Sequence, residues 1–420
     1  MINDHTLSRF ASLGGGLLEP LHDYSFGNLS RTLEHLLTGA ADGPLLPVDC
    51  FGGSYPRPQK VVLFFIDSFG WPFWQRWADR SRIMRRVRDD GILTPISALF
   101  PSTTAASVTS LNLGCLPADH GVYEWNMYVP KYGETIQSLA FQTLGRKAVA
   151  CETLGYDIAD LMLVHETLHQ RLAAHGVRSI QLAHGGYAGS QYNRIASMGA
   201  EVLRHHTLAE SLVQLREVLA ANTGKALVSF YWAGLDTAAH IHGPGSAVHE
   251  AEVGGFWATL DTLLDGLRSP DTVFLFTADH GQIAVPAAQT LYVNERWPQL
   301  ARWLTHSPTG KTIWPNGSPR DMFLHIAPDH REAALSVLMQ GLVDSAEVMT
   351  VDAAVARGLF GTHVISPELR RRLGDVLVLP RPGHFVWWRE PGIMGNSFNG
   401  HHGGLAPDEL ISVLGVAHEL

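Results

Sequence analysis

Six side chains suited to holding metal ions fall in four separated clusters of this chain: Asp67, Asp236 with His240, Asp279 with His280, and His402 inside a glycine-flanked loop, Gly400 to Gly404. Three carboxylates and three imidazoles form a mixed oxygen and nitrogen donor set, which suits zinc, with manganese or iron as weaker fits on ligand type. Asp236 and His240 are four residues apart, so one helical turn aims both the same way and lets them share an ion. The set as a whole predicts a two-metal hydrolytic site.

Between the first two clusters, Phe100 to Gly114 is rich in hydroxyls and reads as a turn opening into a short helix, with Ser102, Thr103 and Thr104 all suited to cap it. The free N–H groups and the dipole at a helix amino terminus favour a phosphoryl oxygen, so a nucleophile belongs there. Thr103 and Thr104 are equivalent on chemistry alone. An alcohol of either kind needs a base or a metal to activate it at neutral pH.

The first three clusters each follow an apolar, β-rich run, beginning at Lys60, Ala226 and Thr272, that reads as a buried strand. In an open α/β sheet, ligands gather at the carboxyl ends of strands. Gly281 is expected to let the backbone turn sharply after the third run. Residues 58–282 alternate such runs with amphipathic segments, for example a helix over 205–222, which predicts a doubly wound, mostly parallel α/β sheet flanked by helices. Residues 1–57 hold little strand pattern and read as an arm packed on that core. Residues 283–374 are broken by prolines, then carry a strand at 322–326 and a helix at 330–342, as a smaller inserted α+β cap would. Residues 375–420 are expected to return to the core through runs at 375–379 and 385–388 and so bring His402 to the site.

The whole pattern resembles the alkaline phosphatase superfamily, most closely its nucleotide pyrophosphatase/phosphodiesterase branch. The likeness covers 58–282 and the final quarter of the chain. It is carried by Asp67 after the first strand, by Thr104 within Phe100-Pro101-Ser102-Thr103-Thr104, by Asp236 with His240, by Asp279-His280-Gly281 and by His402-Gly403. Gly114 to Gly121 also looks like a family segment. The resemblance implies an alkaline phosphatase-like fold with Thr104 as the nucleophile. It implies one ion on Asp236, His240 and His402, and another on Asp67, Asp279, His280 and the Thr104 oxygen. The implied activity is hydrolysis of phosphodiester or pyrophosphate bonds of a small, nucleotide-like phosphate ester through a covalent phospho-threonine.

Two positions depart from the branch. An Asn expected three residues after the nucleophile is Ser107, which would reach a phosphoryl oxygen by a shorter contact or through water, and a Gly before the second-cluster histidine is Ala239. His401 competes with His402, either as the ligand or as a donor behind it. A phosphomonoesterase or phosphonate hydrolase could use the same site. A catalytically silent metal-binding scaffold is the alternative of another class, and Ser107 is its support. No Lys or Arg lies within Phe100 to Gly114 to meet the extra charge of a monoester, which favours a diester unless a distant Arg320 folds over. The Cys-x-Pro-x-Arg motif of sulfatases with a modified cysteine is absent.

A chain of 420 residues with 45% hydrophobic content can bury a large core, and a net charge of -9 argues against a nucleic-acid partner. The basic stretch 75–88 carries apolar residues at helical spacing, as a solvated helix face does. Cys50, Cys115 and Cys151 are odd in number and form no paired spacing, so no disulfide framework is implied. The start lacks a basic and then apolar leader, and no run of about 18 apolar residues occurs, so a cytoplasmic protein without a membrane partner is expected. Phe69, Trp71, Phe73, Trp74, Trp125 and Tyr128 read as core or pocket wall, or as a platform for a flat leaving group. His120 and His242 read as structural or pocket-lining.

Overall fold

Seven strands form the central sheet of this computed structural model, which describes residues 1–420 apart from 41, 165, 222, 223 and 270. They are Lys60–Ile66 (β1), Ile92–Ser97 (β2), Arg178–His184 (β3), Glu201–His205 (β4), Ala226–Trp232 (β5), Thr272–Thr277 (β6) and Ile411–Ala417 (β7). Their spatial order is β2-β7-β6-β1-β5-β3-β4. β1, β3, β4, β5 and β6 run parallel, and β7 is antiparallel to both β6 and β2.

β1 shows why the layers form. Val62, Phe64 and Ile66 alternate with Val61, Leu63 and Phe65, so each strand face presents an apolar row and both need cover. The helices that matter are Leu29–Thr38 (α1), Trp71–Trp77 (α2), Arg82–Asp89 (α3), Thr104–Leu113 (α4), Leu168–Ala174 (α5), Leu208–Ala221 (α6), Gly234–His242 (α7) and Ala247–Leu264 (α8). On the first face, Trp74 of α2, Leu215 of α6 and Trp257 of α8 pack over Phe64, Phe230 and Phe276. On the second, Leu33 and Leu37 of α1, with Leu168 and Leu172 of α5, cover Val61, Leu63 and Phe65. The basic stretch is two helices, and Arg76 and Arg80 pair with Glu250 while Arg82 and Arg86 pair with Asp265.

Register then fixes where the chemistry sits. Ile66 lies opposite Trp232, and Phe65 lies beside Thr277, so the three central strands end together and Asp67, Asp236 and Asp279 emerge just beyond.

Some segments differ from expectation. Glu201–His205 is an edge strand and α6 starts only at Leu208, while Asn222 lies outside the described residues. An edge strand with an exposed side tolerates Glu, Arg and His, so its sequence carries no apolar run to announce it. Val376–Pro380 does not return to the main sheet. It is the middle strand of a small antiparallel sheet, between Met322–Leu324 and Ala346–Thr350. The expected break at 374–375 therefore falls within one sheet, because a fully apolar run says that a strand is buried but not in which sheet. Val386–Trp387 pairs with Leu291–Tyr292, and the chain rejoins the main sheet only at β7. A second small sheet, Asn126–Val129, Glu134–Gln137 and Gln142–Thr143, lies outside the expected pattern. Among the described residues no helix is long and apolar enough to cross a membrane.

Candidate metal centre and its cavity

Asp67 follows β1 directly and is buried, with its own N–H bonded to Trp232 O at 3.0 Å. Asp279 and His280 follow β6 on the neighbouring strand and are fully buried. His280 Nε2 lies 3.3 Å from Asp279 Oδ2 and 3.7 Å from Asp67 Oδ1, and its Nδ1 faces Gly281 O at 3.0 Å, which fixes the ring. Asp279 Oδ2 has no hydrogen-bond partner among the described residues.

Asp236 and His240 share the inward face of α7, with His240 Nε2 3.5 Å from Asp236 Oδ2. His402 Nε2 comes within 3.8 Å of Asp236 Oδ1 from the carboxyl-terminal loop. The outer nitrogens of both rings are held by backbone carbonyls, His240 Nδ1 by Gly400 O at 2.7 Å and His402 Nδ1 by Ser102 O at 2.9 Å. The donor atoms thus gather in two groups, Asp67, Asp279, His280 and Asp236, His240, His402, each within 4.8 Å of one another. The groups abut, since the His280 and His402 rings stack with centroids 3.6 Å apart. His401 lines the cavity and packs edge-on to His240 at 5.3 Å but belongs to neither donor group: its strand pairs with Ile283–Ala284, and its Nε2 contacts Asn396 Oδ1 at 2.8 Å.

Glycine permits two of these approaches. A Cβ on Gly400 would meet Ala239 O at 2.3 Å, so only glycine lets the loop lie against α7. A Cβ on Gly281 would meet Asp408 O at 2.1 Å, so this glycine serves a close backbone contact rather than the expected sharp turn.

Of the three candidate hydroxyls, one faces the donors. Thr103 is the N-cap of α4, accepting from Ala106 N at 3.3 Å and donating to Tyr123 O at 3.0 Å. Ser102 Oγ donates to Gly404 O at 2.8 Å and accepts from Gly403 N at 3.1 Å. Thr104, first residue of α4, donates to Asp67 Oδ1 at 3.4 Å and stands 3.2 Å from His280 Nε2. Ser107 is fully buried, and its hydroxyl has no partner among the described residues.

Two residues that the sequence did not single out hold the donors in place. Tyr231, at the end of β5, donates its O–H to Asp67, and Gln282 donates to Asp236 Oδ1. Their only sequence signal is position, one the penultimate residue of a strand before a ligand segment and one three residues after Asp279. Tyr231→Phe should lower metal affinity or turnover by about 10- to 100-fold without unfolding the chain, as loss of a group behind a ligand does. A change below twofold in both zinc titration and kcat would remove Tyr231 from that role.

The electrostatics ask for cations. Burial, then the charges of Asp279 and Asp236, hold the Asp67 carboxyl well above the usual range. Burial, then His280 and His240, holds His402 well below its ordinary value, so it stays a neutral ring able to coordinate. No Lys or Arg lines the cavity among the described residues. Arg320 is fully buried and committed: Nε and Nη2 bind Glu409 at 2.9 and 2.7 Å, and Nη1 donates to Arg381 O and His384 O at 3.0 and 2.6 Å. Glu409 in turn accepts from Gly404 N and Ala406 N at 3.2 Å each, tying down the loop that carries His402. Arg320→Ala should therefore cost about 3–5 kcal/mol in denaturant unfolding, because it strands a buried carboxylate. A loss under about 1 kcal/mol would contradict that burial cost.

Both groups open on a cavity of about 900 Å³. Thr104, Asp67, Asp236, His240 and His402 line one end, with Trp125 and Phe398 also in its wall, each 41% exposed. Phe69, Trp71, Phe73 and Trp74 are core, and Tyr128 packs on His325. His120 is buried against Ser110 Oγ at 2.9 Å, its pKa pushed down to about 3 by burial, and neither it nor His242 lines the cavity.

A mostly parallel sheet between helical layers, with donors gathered at its strand ends, is an alkaline phosphatase-like α/β fold. Residues 61–404 match the family described as type I phosphodiesterase / nucleotide pyrophosphatase, and the chain belongs to that family of phosphoester hydrolases. No curated protein matches significantly by sequence. Murine ectonucleotide pyrophosphatase / phosphodiesterase 5 superposes with a TM-score of 0.61 at 13% identity, over 85% of this chain and 87% of that one. An inactive threonine-to-alanine form of that protein is known in complex with AMP. Phosphonoacetate hydrolase from Sinorhizobium meliloti 1021, in complex with phosphonoacetate, superposes with a TM-score of 0.60 at 15% identity, over 87% of this chain and 92% of that one.

Proposed function

We propose that the protein hydrolyses a phosphodiester or pyrophosphate bond of a small substrate through a covalent phospho-threonine at Thr104, with two divalent ions, zinc above manganese or iron, held by Asp236, His240, His402 and by Asp67, Asp279, His280. The observation that carries this reading is the position of Thr104 Oγ1 against the second donor group while the first abuts it. The donors fit such ions: each group pairs carboxylate oxygen with imidazole nitrogen, and the three acids have no side-chain cation in the cavity wall among the described residues. Bound there, two ions would supply Lewis-acid stabilisation of the phosphoryl oxygens and lower the pKa of the attacking alcohol.

The chain's own groups do the rest. Thr104 Oγ1 forms a bond to phosphorus as the bond to the leaving oxygen breaks, and its proton passes towards Asp67 Oδ1, to which the hydroxyl already donates. The first turn of α4 offers free N–H groups to the phosphoryl oxygens. Water then displaces Thr104 from phosphorus, forming the new P–O bond and returning the hydroxyl. The inactive threonine-to-alanine relative supports a threonine in this role.

A phosphonate hydrolase is the second reading, favoured by the likeness to phosphonoacetate hydrolase. Phosphonoacetate carries a carboxylate, and a monoester a second phosphate charge. With Arg320 committed to Glu409 and no Lys or Arg in the wall among the described residues, both lack a partner, which favours the diester. With the zinc-loaded protein, bis(p-nitrophenyl) phosphate should be cleaved at least tenfold faster than p-nitrophenyl phosphate. The reverse order would overturn the diester preference. Silence on both, and on a nucleotide sugar, with two zincs bound would favour the scaffold instead.

A further inference from the structure

The cavity does not stop at the donors. Thr104, Val108, Leu111 and Asn112 form one stripe of α4 along its wall, so it runs beside the helix for about 12 Å at about 1.5 Å per residue. Its far end lies between layers of the core, lined by Leu33 of α1, Leu63 of β1 and Leu168 of α5. The polar groups there bond mainly to one another, Asn112 Oδ1 with His169 Nε2 and with the Gln181 amide, each at 3.1 Å. Of this cluster only His169 Nδ1 has no partner among the described residues, which leaves little to read the edge of a base. The charged carboxylate residues in the wall are Asp67, Asp236 and Glu124, unmatched by Lys or Arg among the described residues. Glu124 is itself buried, which pushes its pKa up to about 7. A second anionic group on the substrate would meet these acids and no Lys or Arg among the described residues, whereas apolar matter would fill a void that otherwise weakens the core.

We propose that this cavity takes a long, uncharged aliphatic group esterified to the phosphate, so that the substrate is a phosphodiester carrying an alkyl or acyl chain rather than a nucleotide. The proposal rests on the phosphodiester reading above. Each methylene that enters should raise kcat/KM by about two- to fourfold.

The test uses ethyl, butyl and octyl p-nitrophenyl phosphate below their micelle concentrations, beside the p-nitrophenyl ester of thymidine 5′-phosphate. Binding of ethyl and octyl phosphonate to the same zinc-loaded protein is measured by calorimetry. The octyl ester should exceed the ethyl ester at least 50-fold in kcat/KM and exceed the thymidine ester, and octyl phosphonate should bind at least tenfold tighter than ethyl. Val108→Phe, which narrows the channel, should collapse the octyl-to-ethyl ratio. A flat series, or a thymidine ester ten times better than octyl, overturns the chain proposal and leaves the hydrolase reading standing. If no ester is cleaved yet octyl phosphonate still binds tenfold tighter, the hydrolase reading falls and the cavity assignment survives; equal binding sinks both.

Discussion

Thr104→Ala should lower kcat on bis(p-nitrophenyl) phosphate by about 10⁴-fold, the scale seen when a nucleophile is removed and only binding and electrostatics remain. The fold should tolerate the change. Thr104 is the first residue of α4, but the cap comes from Thr103, and among the described residues the Thr104 hydroxyl reaches only towards Asp67 and His280. Thermal melting and zinc content should accordingly stay near those of the parent. Thr103→Ala offers the contrast. It removes the cap and the bond to Tyr123, and should cost about 1 kcal/mol of stability while the chemistry persists. Should Thr104→Ala keep a tenth of parent turnover while Thr103→Ala loses it, the nucleophile has been misassigned.

Stripping the metal should have the next largest effect, on activity and stability together. Chelation should reduce turnover by roughly a hundredfold or more, because it removes the charge that stabilises the phosphoryl oxygens. It should also lower the melting temperature: an ion present at about a thousand times its Kd contributes about 4 kcal/mol to the folded state alone. Zinc should restore both. Asp236→Ala should lose one equivalent by elemental analysis and retain the other, since Asp67, Asp279 and His280 form their group without it. Full turnover after exhaustive chelation, or one equivalent in the parent and in Asp236→Ala alike, would contradict a paired centre.

The donors were legible in the sequence because strand ends are. An apolar run that stops on a carboxylate locates Asp67 and Asp279 at the carboxyl ends of parallel strands, and the four-residue spacing of Asp236 and His240 needs only a helix to bring them together. What escaped depends on contacts across the fold. Tyr231 and Gln282 reach their carboxylates through register and loop path, and no local pattern marks them. Ser107 is marked in the sequence by its distance from Thr104, while its full burial and unpartnered hydroxyl depend on what packs against α4. His401 and His402 are neighbours in sequence, and only strand pairing with Ile283–Ala284 turns one of them to Asn396. Val376–Pro380 looked like a core strand because it is buried, while its partners were decided by the antiparallel register with Met322–Leu324 and Ala346–Thr350. The far end of the cavity is made by α1, α4 and α5 together with β1, and appears only once these distant segments meet.

The stereochemical course at phosphorus tests the covalent route most directly. A diester made chiral at phosphorus with sulfur and oxygen isotopes would pass through two in-line displacements, first by Thr104 and then by water, so the product should show retention. Inversion would mean that water attacks the substrate in one step and that Thr104 never carries the phosphoryl group.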